Sequence, residues 1–100
     1  EVIDLLRQAR ADAVATGQVQ IVEFDGAEAV FRSSVAAPVH LPDRIDAKVI
    51  SASSAGRGRV VFFQNGTSSG GTIEVFSGTR RDVVVIDWLT GSIQREVPEA

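Results

Sequence analysis

A chain of 100 residues, 44% hydrophobic and 23% charged, is sized and composed for one folded domain with a modest core. Its net charge of −3 argues against a generic polyanion binder, and the absence of cysteine excludes both a disulfide frame and a thiolate metal site. No run reaches the roughly 20 apolar residues of a membrane-spanning helix, and the start does not have the pattern of a signal peptide.

Residues 1–16 read as an amphipathic helix. Val2, Leu5, Leu6, Ala9 and Ala13 recur at three- and four-residue spacing and make one apolar face, with Glu1, Asp4, Gln8 and Asp12 opposite. Gly17 supplies a stop. No Ser, Thr or Asn cap precedes the pattern, and residue 1 is already in phase with it, which points to a helix that begins further upstream. Two β-rich runs, 18–24 and 27–35, flank Asp25-Gly26, a strong short hairpin signal. Pro38 and Pro42 punctuate a loop over 36–46, because proline cannot donate to a ladder. Residues 47–52 read as a short strand and 53–58 as a flexible connection.

From Arg59 to Gly91, three apolar runs are separated by Gly/Ser/Thr/Asn clusters, the pattern of a β-meander. Asn65-Gly66 and Gly70-Gly71 allow the first connection to reverse, pairing 59–64 with 72–77. RVVFF and VVVI are apolar at successive positions, so both faces of their sheet are expected to need cover. Residues 92–97 form the last strand, and Pro98 ends it. The sum is a single α+β domain over 1–100: a helix through residue 17, then antiparallel strands over 18–97, in two sheets.

The stretch FFQNGTSSGGTIEVFSGTRRDVVVIDWLTGSI resembles the C-terminal half of the minor pseudopilins of the H type from type II secretion, a family that includes related minor pilins of type IV pili. The likeness rests on Phe63, on Gly66, Ser69, Gly70 and Gly71 of the loop, and on Asp87, Trp88, Leu89, Thr90 and Gly91. It implies a pilin-like fold whose helix continues upstream into a membrane segment absent from this sequence, preceded by a basic leader and a cleavage site. It further implies a single-pass inner-membrane protein with this domain in the periplasm. Such a subunit would assemble at or near the pseudopilus tip and link it to the major pseudopilin. The alternative is a minor pilin of a type IV pilus, serving assembly, adhesion or DNA uptake. The absence of cysteine favours secretion, since many outward-facing pilin domains carry disulfides.

Chemistry finds little support. Gly66-Thr67-Ser68-Ser69-Gly70 matches G-x-S-x-G, but a strand follows it where the nucleophile elbow needs a helix, and the only histidine, His40, precedes it. Read as a phosphate cradle, the loop has no Lys-Ser/Thr pair. His40 has no second histidine or cysteine with which to hold zinc, and Asp43 and Asp46 do not have the spacing of a calcium loop. No enzyme activity, metal, cofactor or small-molecule substrate is therefore expected. Trp88 reads as a core anchor between sheets, with a subunit contact as the alternative. Arg57, Arg59, Arg80 and Arg81 are expected to crowd one end of the sheet, solvated or facing an acidic neighbour. Arg7 and Arg10 flank the apolar stripe and could pair with acids of adjacent helices; Asp4 and Arg7 could also pair within the helix. DNA binding is disfavoured, because the tail SIQREVPEA has one Arg against two Glu and no aromatic residue alternates with the basic ones.

Overall fold

A computed structural model describes residues 2–34, 36–52 and 55–96. Helix α1 (Val2–Thr16) buries Val2, Leu5, Leu6, Ala9 and Ala13, the positions that its spacing selects. The N–H of Gly17, at φ 69°, donates to the Ala13 carbonyl at 3.1 Å and closes the last turn.

Eight strands follow: β1 (Gln20–Asp25), β2 (Val30–Ser33), β3 (Val39–His40), β4 (Ile45–Ser51), β5 (Arg59–Phe62), β6 (Gly71–Ser77), β7 (Arg80–Ile86) and β8 (Ile93–Glu96). They make two antiparallel sheets of four, in the orders β3-β2-β1-β5 and β4-β6-β7-β8. The helix lies on β1, β2 and β5 of the first sheet and touches β8 of the second. Leu6, Phe31, Val60, Phe62 and Ile73, each 1% exposed or less, join helix and sheets in one core. Burying each such side chain is worth roughly 1.5–3 kcal/mol.

The structure corrects the expected meander. β5 does not pair with β6; it pairs with β1, with Arg59 opposite Glu23 and Phe62 opposite Gln20. The chain does reverse after Phe63, but residues 67–69 fold back onto β5 for a single step. The Ser69 N–H donates to the Val61 carbonyl at 2.8 Å, and Ser68 bridges Phe62. Gly70 and Gly71 then carry the chain across to the second sheet, where β6 pairs with β4 and β7. Within this stretch the meander is instead β6, β7 and β8.

Smaller differences have local causes. The β1–β2 hairpin has the four-residue loop 26–29, because the Asp25 carboxylate accepts the N–H groups of Ala27 (3.0 Å) and Glu28 (3.2 Å) and holds a wider turn. The left-handed residue is Ala29, at φ 50°, not Gly26. Between the prolines, β3 adds two residues to β2. β4 begins at Ile45, two residues earlier than expected, and pairs with β6 along its length. The two-sided burial expected of RVVFF fails, since Val61 is half-buried and Phe63 is 37% exposed. In β7, Val83 and Val84 are both buried, but Val83 lies outside the main core and is flanked across the ladder by Glu74 and Glu96. Pro98 and the end of the last strand lie outside the described residues.

Candidate functional site

The loop motif and the D-W-L-T-G turn, separated by β6 and β7, meet in one hydrogen-bonded knot against the helix. Ser68 is its centre, 4% exposed. Its N–H donates to the Trp88 carbonyl (3.0 Å), its hydroxyl donates to the Asp87 carbonyl (2.8 Å), and the same oxygen accepts the Gly70 N–H (2.9 Å). Ser69 answers on the other side, its hydroxyl accepting the Val61 N–H at 3.0 Å. The Asp87 carboxylate accepts the N–H groups of Leu89 (2.7 Å) and Thr90 (3.3 Å), and the Asp87 carbonyl accepts that of Gly91 (2.9 Å). Hydroxyls and a carboxylate thus satisfy backbone groups that no ladder reaches. A buried serine engaged in this way is a structural pin and not an exposed nucleophile.

Arg10 completes the knot. Its Nε donates to the Gly66 carbonyl at 3.3 Å and its Nη2 to the Thr90 carbonyl at 3.0 Å, so one helix side chain ties both loops down. Its place beside the stripe suggests an outward contact between helices; the guanidinium instead turns inward to carbonyl groups of its own chain. Gly91 packs so closely on the Gly66 carbonyl that a Cβ would overlap it.

The knot pushes Trp88 and Leu89 outward. They are 66% and 61% exposed, which corrects the expectation that Trp88 anchors the core. The turn's bonds come from backbone and from Asp87, Thr90 and Ser68, so its largest side chains are left without a packing role. Trp88 and exposed Ile50 (48%) line one shallow groove over the second sheet. A rigid turn that presents a tryptophan and a leucine to solvent has the form of a docking element, since buried aromatic anchors dominate protein interfaces.

The arginines do not converge as expected. Arg59 belongs to the first sheet and pairs with Glu23 at 2.6 Å. Arg80 and Arg81 belong to the second, near Asp82 (4.0 Å) and Glu74 (3.9 Å). The turn before them has only two residues, which puts Arg80 and not Arg81 opposite Ser77. Arg57 and Arg7 are exposed. Arg95 reaches Asp82 at 2.8 Å. These pairs are solvated and each is worth little, roughly 0–1 kcal/mol. The Asp25 carboxyl is held below its ordinary pKa, first by the hydrogen bond from Arg32 and then by backbone N–H groups. An apolar cavity of about 330 Å³ opens near the start of α1, between Val2, Val39, Leu41 and Val84, with His40, Asp82 and Arg95 also on its wall.

The family model described as Type II transport protein GspH matches residues 1–90. The chain belongs to the GspH family. In the Vibrio cholerae minor pseudopilin EpsH of the type 2 secretion system, one structure superposes with a TM-score of 0.79 at 12% identity, over 99% of this chain and 93% of that one. A second, a crystal structure, gives 0.76 at 11% identity, over 99% and 90%. The Pseudomonas aeruginosa type IV minor pilin FimU gives 0.71 at 20% identity, over 99% and 88%. At such identities these likenesses establish a shared pilin-like fold. No curated protein matches the chain by sequence. No helix among the described residues is long and apolar enough to cross a membrane. The matched span takes in α1 and all of the knot except Gly91.

Proposed function

We propose that this GspH-family domain is a minor pseudopilin of a type II secretion system, a structural subunit that enters the pseudopilus at or near its tip and joins it to the major pseudopilin. The observation that carries this reading is the family match over 1–90 on a chain whose pilin-like fold runs from helix to last strand. On this reading α1 is the end of a longer helix anchored in the inner membrane, and the β-sheets lie in the periplasm. Packed helices form the shared axis, and the globular surface selects neighbours. Arg7 on the exposed side of α1 serves helix contacts, while Arg57, Arg80, Arg81 and above all the Trp88–Leu89 turn serve contacts with neighbouring pseudopilins. The inward bonds of Arg10 assign it to holding that turn in place.

The second reading, a minor pilin of a type IV pilus, is favoured by the likeness to FimU. Deleting the gene in its own host separates the two. Loss of type II secretion, with cargo retained in the periplasm and pili unaffected, is the expected result. Intact secretion with lost or shortened pili would transfer the protein to the pilus branch.

A further inference from the structure

Two sheets have four edges, and among the described residues three of them are short or covered. β3 has two residues and β8 four, while the free side of β5 is covered by residues 67–69 through the two bonds between Ser69 and Val61. β4 is different. It is the outer strand of the second sheet and runs for seven residues, long enough to template a further strand.

Its backbone shows which residues face out. The Ala47 N–H donates at 2.8 Å to Asp46 Oδ1 and the Ile45 N–H at 3.1 Å to the Pro42 carbonyl, so the backbone groups of these two residues point away from β6. Along an antiparallel strand the outward backbone groups alternate, so Val49 and the Ile45 carbonyl point the same way. Side chains alternate too: Asp46 and Lys48 are exposed on one face, and Ile45, Ala47 and Val49 are half-buried on the other.

We propose that β4 pairs antiparallel with β4 of a second copy of this chain, about a two-fold axis at Ala47. That register sets Ala47 on Ala47, and Ile45 on Val49, where the Val49 N–H meets the Ile45 carbonyl while the Ile45 N–H stays with the Pro42 carbonyl of its own chain. It also places each Asp46 beside the other copy's Lys48, so both charges meet their opposites twice over. An isologous interface requires this self-complementarity. A parallel pairing in register would put like on like, and an apolar foreign strand would leave both charges unmatched. The Asp46 carboxylate, which occupies the Ala47 N–H in the single chain, would exchange that bond for Lys48 of the partner. The inference does not depend on the secretion reading.

Sedimentation velocity of the 100-residue chain, in a concentration series reaching the millimolar range, tests it. A reversible dimer is expected. Lys48→Asp or Asp46→Lys alone should weaken it by about ten-fold or more, because symmetry creates two like-charge pairs. The double exchange, Asp46→Lys with Lys48→Asp, should restore it. Both positions are exposed, and circular dichroism checks that each variant is folded. On the unsubstituted chain, amide exchange at Ala47 and Val49 should slow as concentration rises. A chain that stays monomeric throughout overturns the proposal. So does a dimer that the single reversals leave unchanged, that the double exchange fails to rescue, or that leaves those two amides unprotected.

Discussion

Gly91→Ala should be far more damaging than its backbone conformation alone explains, and two other glycines provide the control. Gly17, Gly78 and Gly91 have φ of 69°, 61° and 70°, so alanine at each adopts the same left-handed conformation. A Cβ at Gly17 or Gly78 meets nothing within 4 Å. At Gly91 it overlaps the Gly66 carbonyl oxygen and stands 2.7 Å from Arg10 Nε. The left-handed penalty common to all three is about 1–2 kcal/mol. Displacing the Gly66 carbonyl also breaks the bonds of Arg10, and losing a partly buried, charge-assisted bond adds about 2–3 kcal/mol. The control variants should therefore lose about 1–2 kcal/mol, and Gly91→Ala about 3–5 kcal/mol, a large share of a small domain's stability. Urea unfolding followed by far-ultraviolet circular dichroism gives the difference directly. At about 4–8 °C of melting temperature per kcal/mol, Gly91→Ala should fall about twice as far as the controls or further. If Gly91→Ala unfolds within about 1 kcal/mol of the two controls, the close approach of the loops is not what holds the turn, and the reasoning fails.

Arg10→Ala should cost about 1–3 kcal/mol, since it releases both carbonyls, and Arg10→Lys should recover only part of that because it lacks the fork; equal stability of Arg10→Ala and the parent would refute the inward role. Trp88→Ala should leave stability within about 0.5 kcal/mol, while iodide quenches the parent's fluorescence efficiently, as for a solvated indole; a deep loss of stability would return Trp88 to the core. Asp25 titrates in the fold below its ordinary value of 3.8. Its contribution is therefore present above that value and is lost as pH falls through the folded midpoint. A carboxyl midpoint measured by NMR should lie below 3.8 and rise towards it in Arg32→Ala; a midpoint at or above 3.8 in the parent would contradict the hydrogen bonds seen.

What could be read in the sequence was whatever one segment determines alone. The helix face is such a property, because Val2 through Ala13 need only their own spacing to share a side. The apolar runs also mark strands reliably. Partners are another matter: β5 finds β1, with Arg59 opposite Glu23, and no local signal reports that distant pairing. Asn65-Gly66 does reverse the chain, but Ser69 then bonds Val61 of β5 for one step, with its N–H and its hydroxyl, while the Ser68 hydroxyl turns to Asp87 and Gly70. Trp88 misled for a related reason, since residue type predicts burial only where packing, and not backbone bonding, shapes the turn. For the left-handed residues Ala29 and Arg44 the sequence carries no cue.

The path of the chain between the sheets bears on how the domain could be divided. After β3 it crosses from the first sheet to the second, returns for β5, and crosses again for β6. A cut in the connection between β4 and β5 would therefore release no self-sufficient part: the front fragment would lack β5 of the first sheet, and the rear one β4 of the second. Two such pieces, expressed separately, should be unfolded apart and reassemble on mixing, so this fold offers a route to fragment complementation.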